Sequence, residues 1–243
     1  MKRLFDEDLR ELRERLLAMG REVETMLADA CRVMGTRDVG VMDDVVARDA
    51  RVDRMEREVD GLCHAILVRH QPTAVDHRFI TAVLKTTGEL ERVGDCAKNI
   101  ARSVKALGPN GSLLPGLDLD QVSDLARSMV SDSVRSFMEE DGPLAYDVLG
   151  RDDEVDRRHH QILRRVEERI TQDPANVAPG LRILTISKNL ERVADHATNV
   201  AENVIYFLEG RDVRHGGAAP DVAPSDGSEA GKLQAGYTPE AGP

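Results

Sequence analysis

Residues 90–101 read LERVGDCAKNIA and residues 190–201 read LERVADHATNVA, so that eight of twelve positions, spaced one hundred residues apart, are identical. A repeat of this kind constrains the fold more than any other feature, because each copy must be built the same way and bury the same face. A second echo lies upstream, where Arg48-Asp49 with Val52-Asp53 matches Arg151-Asp152 with Val155-Asp156.

The segments around these echoes carry apolar residues at helical spacing. From about Asp6 to Met34, the residues Leu9, Leu12, Leu16, Val23, Met26, Leu27, Ala30 and Met34 line one face of a helix. Second and third helices are expected over about Val39–His70, ending before Gln71-Pro72, and Asp76–Leu107, ending at Gly108-Pro109-Asn110-Gly111. The pattern then restarts, with helices expected over Leu117–Glu140, Pro143–Thr171 and Val177–Leu208. Only 3% of residues are aromatic and alternating β-branched runs are scarce, which leaves strands without support. The fold class is therefore all-α: two tandem antiparallel three-helix bundles related by duplication, over 1–110 and 111–210. From 211 to 243 the composition turns to Gly, Ala, Pro, Ser and Asp, and a disordered tail is expected.

Charge narrows the partners. A net charge of −11 argues against nucleic acid, which requires a cationic face, and suits cations or a basic protein surface. No apolar run approaches the roughly 20 residues of a membrane-spanning helix, so any membrane link is expected to be indirect. Cys31, Cys63 and Cys96 are odd in number and widely spaced, and no signal peptide is expected ahead of them. They are expected to be small buried apolar residues of a cytoplasmic protein, not a disulfide framework or zinc ribbon.

Side chains four apart on a helix share a face. Glu91 with Asp95, Glu191 with Asp195, Asp49 with Asp53, and Asp152 with Asp156 thus form four acidic pairs, one on the middle and one on the third helix of each repeat. Antiparallel neighbours would bring four carboxylates to one patch per repeat, where they repel unless a cation lies among them. Hard oxygen donors suit Mg²⁺, Ca²⁺, Mn²⁺ or iron. Val45, Val52, Val59 and Ile66 form a packing seam on which Asp49 also falls. The small residues Gly94, Ala97 and Ala101, with Ala194, Ala197 and Ala201, allow a neighbouring helix to come close.

Other readings stand beside this one. With 32% charged residues, acidic pairs also arise by chance on solvated faces, as with Glu7 and Glu11. Arg92 and Arg192 could neutralise Asp95 and Asp195 at i,i+3. Asn99 and Asn199 continue the acidic face as ligands, as donors to ligands or as packing residues, the last two being favoured. His196 has Cys96 as its counterpart and is not expected in a shared metal shell. His160 lies one turn beyond Asp156 and could chelate with it, but the first repeat has Arg57 there. No phosphate loop, G-x-S-x-G elbow, H-E-x-x-H helix or Glu-x-x-His pair occurs, and no nucleophile or base stands beside the acids, so an enzyme is not expected.

Two three-helix units, each with E-x-x-x-D on its third helix inside a run such as LERVADHATNVAENV, resemble the PhoU family over nearly all of residues 1–210. The first copy departs at Gly94-Asp95-Cys96, where the second has Ala194-Asp195-His196. The resemblance implies clusters of metal ions, often iron or zinc, on the acidic faces, with Glu91, Asp95, Glu191 and Asp195 foremost and Asp49, Asp53, Asp152 and Asp156 behind them. It also implies a homodimeric adaptor that couples the ATPase-driven phosphate-specific ABC transporter to a membrane sensor histidine kinase, repressing the phosphate-starvation response. The rival expectations are a helical scaffold that meets a basic partner without metal and, further off, a metal-dependent hydrolase.

Overall fold

In a computed structural model of the chain, residues 2–108 and 116–213 are described. The expected tail beyond 213 and the link at 109–115 lie outside them. Within the described residues every regular element is helical. Helices α1 (Lys2–Thr36), α2 (Val39–His70) and α3 (Ala74–Leu107) form the first unit. The second comprises α4 (Leu119–Glu139), α5 (Gly142–Leu149), α6 (Asp152–Gln172), a 3₁₀ turn (Pro174–Asn176) and α7 (Val177–Glu209).

The local chemistry explains the boundaries. Asp38 accepts a hydrogen bond from the Val41 backbone N–H at 3.2 Å and starts α2, and Asp141 does the same from Leu144 at 3.0 Å, with Pro143 in the first turn. Gly210 takes the left-handed conformation (φ 70°) that ends α7. The single helix expected over 143–171 is in fact two. Gly150, where the first repeat has Ala47, and Arg151 form a turn between α5 and α6, since glycine weakens a helix interior by about 1 kcal/mol relative to alanine. That turn makes Asp152 the first residue of α6, whereas Asp49 lies inside α2.

Two-to-three-residue links force α1, α2 and α3 to run antiparallel, and the second unit follows the same course. The third helices α3 and α7 pack along each other at the centre, while α1 also meets α4. The seam valines Val45, Val52 and Val59 are buried together with Ile66, as are Gly94, Ala97, Ala101, Ala194, Ala197 and Ala201. Where the two units meet, Phe79, Phe137 and Phe207 form a cluster with ring centroids 5.4 to 6.1 Å apart. The three cysteines are buried, and burial pushes their thiols up to about 12, 12 and 11.

Candidate functional site: paired acidic faces

In each repeat the acidic pair of the middle helix is preceded by an ion-pair clamp that the duplication repeats. Arg48, adjacent to Asp49, reaches Asp29 of α1 at 3.2 Å and Asp44 at 2.7 Å, while Arg32 holds the other oxygen of Asp29 at 2.5 Å. One repeat later Arg151, adjacent to Asp152, reaches Asp132 of α4 at 2.8 Å and also Asp147, while Arg135 holds Asp132 at 2.9 Å. All four positions recur at an offset of 103 residues, so the clamp pins the middle helix to the first helix immediately before the acids.

Asp49, Asp53, Glu91 and Asp95 are all half-buried, and so are Asp152, Asp156, Glu191 and Asp195. In the first repeat burial raises the Glu91 carboxyl above its ordinary value, and Asp95, Glu56 and Asp53 push it the same way. In the second, burial together with Asp195, Asp156, Asp153 and Glu191 raises Asp152 to about 6. Asp195 is raised by burial, Glu191 and Asp156 against the lowering pull of Lys188 and His196. The negative charge of neighbouring carboxylates on both helices thus reaches Glu91 in the first repeat and Asp152 and Asp195 in the second.

Two members of the faces escaped sequence reasoning. Glu56, one turn beyond Asp53, joins the first face, and burial, Asp60 and Asp53 raise it. Its counterpart at the same offset is His159, held at 2.8 Å from the Ser187 hydroxyl and kept toward the neutral form chiefly by burial, with Glu191 pulling the other way. The signal was the offset of 103, which aligns Glu56 with His159. His160, which sequence spacing offered as a chelator with Asp156, is instead exposed, and its Nδ1 lies 2.8 Å from the Asp156 backbone carbonyl.

The arginines do not neutralise the motif aspartates. Arg92 pairs with Glu89 at 2.7 Å and Arg192 is exposed. Instead Lys98 places its ammonium 2.8 Å from Asp49 and 2.5 Å from Asp95, bridging α2 and α3. Burial alone would lower the Lys98 ammonium, but the bonds to these two acids outweigh it and raise it. The position matching Lys98 in the second repeat is Thr198, whose hydroxyl donates to the Asp195 carbonyl at 2.7 Å. Lys188, whose charge reaches Asp195, is exposed and contacts Glu191 of its own helix at 2.5 Å.

His196 and Asn199 serve the interface of the units. The His196 ring lies 2.8 Å from Glu89 of α3 and the Asn199 amide donates to the same carboxylate at 3.0 Å. Those two bonds, with Arg92, overcome the effect of burial and hold Glu89 below its ordinary value. Sequence comparison passes over Glu89 because its counterpart is Asn189.

The donor chemistry fits a hard or borderline cation: carboxylates on both faces, a neutral imidazole on the second. Asp152 Oδ1 is also buried without a hydrogen-bond partner, a costly state for a carboxylate. As placed, however, no three His, Cys, Asp or Glu side chains among the described residues converge as a metal shell would require, so ligation would need carboxylate rotations.

Comparison with known proteins agrees with this architecture. The PhoU domain model matches residues 16–104 and 119–204. The phosphate-specific transport system accessory protein PhoU homolog of Pseudomonas putida is 37% identical over 214 residues, covering 88% of this chain and 84% of that protein. The Pseudomonas aeruginosa homolog is 36% identical over 212 residues, covering 87% and 88%. The crystal structure of PhoU from Pseudomonas aeruginosa superposes with a TM-score of 0.82 at 35% identity, covering 85% of this chain and 99% of that one. The phosphate transport system regulatory protein PhoU from Streptococcus pneumoniae gives a TM-score of 0.80 at 25% identity, covering 86% and 99%.

Proposed function

The chain belongs to the PhoU family, and from that premise we propose that it is a non-enzymatic, metal-binding regulatory adaptor of phosphate transport, working in the cytoplasm as a homodimer. Its partners are the ATPase-bearing phosphate transporter and a membrane sensor kinase, and its output is repression of the phosphate-starvation response. Among the described residues no helix is long and apolar enough to cross a membrane, so in this reading the membrane is reached through those partners.

The observation that carries the metal reading is the second acidic face. Two neighbouring helices crowd Asp152, Asp156, Glu191 and Asp195 until Asp152 is raised to about 6 with one oxygen buried and unpartnered. Asp49, Asp53, Glu91 and Asp95 form the related face on the first repeat. An iron, zinc, manganese or magnesium ion bound to such acids supplies charge neutralisation and cross-links two helices. A partner that sensed the spacing of those helices would then read metal occupancy.

Elemental analysis of the purified protein tests the site. Metal is expected in the native chain and not in one carrying alanine at Glu91, Asp95, Glu191 and Asp195. Equally negligible metal in both would discard the metal reading in favour of acidic faces that dock a basic partner. Deleting the gene is expected to derepress phosphate-starvation genes in phosphate-rich medium, and unchanged expression would contradict the regulatory role.

A further inference from the structure

Lys98 is one of three differences between two faces built on the same scaffold, beside the exchange of Glu56 for His159 and the turn that precedes Asp152. The clamps at Arg48 and Arg151 match, the acids match, and the third helices match at eight of twelve positions around the motif. Yet an ammonium bridges Asp49 and Asp95 across α2 and α3, while the equivalent threonine hydroxyl is spent on its own backbone and leaves Asp152 and Asp195 without that bridge. From this difference we infer that Lys98 is a tethered counter-ion occupying the cation position of the first repeat, so that the second repeat is the stronger divalent-cation site of this chain.

The inference rests on the metal reading above and deepens it. A divalent ion entering the first face has to displace an ammonium that already satisfies one acid on each helix. That lysine is only 16% exposed, its stem packed between the helices, so it has little room to retreat and would remain a like charge beside the metal. On the second face the cation that competes is Lys188. It is 53% exposed and among the described residues is bound only to Glu191 of its own helix, so it can swing into water without breaking any link between α6 and α7. Two faces of unequal affinity let one bundle be loaded while the other is held closed by its own side chain. Occupancy of the first face would then call for a higher metal concentration or a partner that withdraws Lys98.

Calorimetric titration of the chelator-treated full chain with Mn²⁺ alone, with unbound Mn²⁺ followed by its paramagnetic resonance signal, tests this. In the native chain, tight binding should vanish in E191Q/D195N and persist in E91Q/D95N. K98T, which installs the residue of the second repeat, should gain a further tight increment of about one site's worth, and adding E91Q/D95N to it should remove that increment. K98Q, which keeps the stem and removes the charge, should gain the same increment, so a K98T chain that misfolds by circular dichroism does not end the test. If E91Q/D95N and E191Q/D195N remove equal tight binding from the native chain, or the Lys98 variants gain nothing, the inference falls while the metal reading stands. If neither the native chain nor the Lys98 variants take up Mn²⁺, both fall together.

Discussion

The first and second acidic faces share a scaffold and differ in charge balance. In the first, Asp49 sits within a continuous α2 and shares Lys98 with Asp95. In the second, a turn at Gly150 and Arg151 makes Asp152 the opening residue of α6, and Thr198 replaces the lysine. Glu56 of the first face becomes His159 in the second. The arginine clamps and the buried stripes are common to both, so what duplication preserved is the placement of backbones, and what diverged is how the crowded acids are neutralised. A fold can therefore look symmetric while its two halves carry different charge balances.

That comparison is meaningful for stability only if the halves unfold together. Phe137 is 1% exposed and touches Phe79 and Phe207, joining α4 to both third helices. F137A is expected to cost about 3–5 kcal/mol, the largest effect foreseen here, by removing an aromatic ring from a packed cluster. The chain has no Trp, so amide hydrogen exchange is the suitable reading. Because α3 packs along α7, protection should fall to the same extent in both units. A loss confined to α4–α7 would show instead that the units are energetically separate, and that each face must be compared against its own unit.

Much of this was legible in the sequence because helical period and duplication are local and repetitive. Leu12, Leu16, Met26 and Met34 share one predicted face and are buried, and the eight acids of the four i,i+4 pairs are all half-buried. The turn at Gly150 was missed because Pro143–Thr171 keeps its apolar period across it, with Val148 and Val155 both buried. Contacts between helices were less legible. Lys98 reads as an ordinary charged position in its own helix, and only the fold brings Asp49 within 2.8 Å of it. Glu89 had no visible role because its partners His196 and Asn199 lie more than one hundred residues away.

Moving the lysine sharpens the contrast between the faces. The folded Asp152 carboxyl, at about 6, lies above its ordinary value of 3.8, so the folded state holds this proton more tightly than the unfolded state does. Its contribution is neutral at pH below the ordinary value and becomes a cost as pH rises through the interval up to about 6. Because the group is roughly half exposed, solvent screening reduces that cost to about 1 kcal/mol. T198K should supply the missing ammonium, flatten this part of the pH profile and raise the stability of metal-free protein at pH 7 by about the same 1 kcal/mol. Melting curves between the two pH limits provide the check. An unaltered profile would mean that a lysine there does not reach Asp152 and that the two faces are not geometrically equivalent.

The smallest effect concerns the backbone on which the first face is mounted. Gly94 precedes Asp95 where the second repeat has Ala194, and a glycine inside a helix suggests that α2 needs the space. The geometry says otherwise: a methyl group at Gly94 would meet Val52 Cγ1 at 3.5 Å, an ordinary contact. A real steric demand looks different, as at Gly20, where the same methyl would come within 2.9 Å of Val134 Cγ1 between α1 and α4. G94A should therefore stabilise the chain by about 0.5–1 kcal/mol, because the unfolded chain loses freedom that the folded helix never used. G20A should destabilise it, since Val134 must give way. Denaturant midpoints of the two variants separate these outcomes. If G94A were destabilising, α2 and α3 would pack more tightly at Asp95 than the second face packs at Asp195, and the difference between the faces would lie in helix spacing as well as in charge.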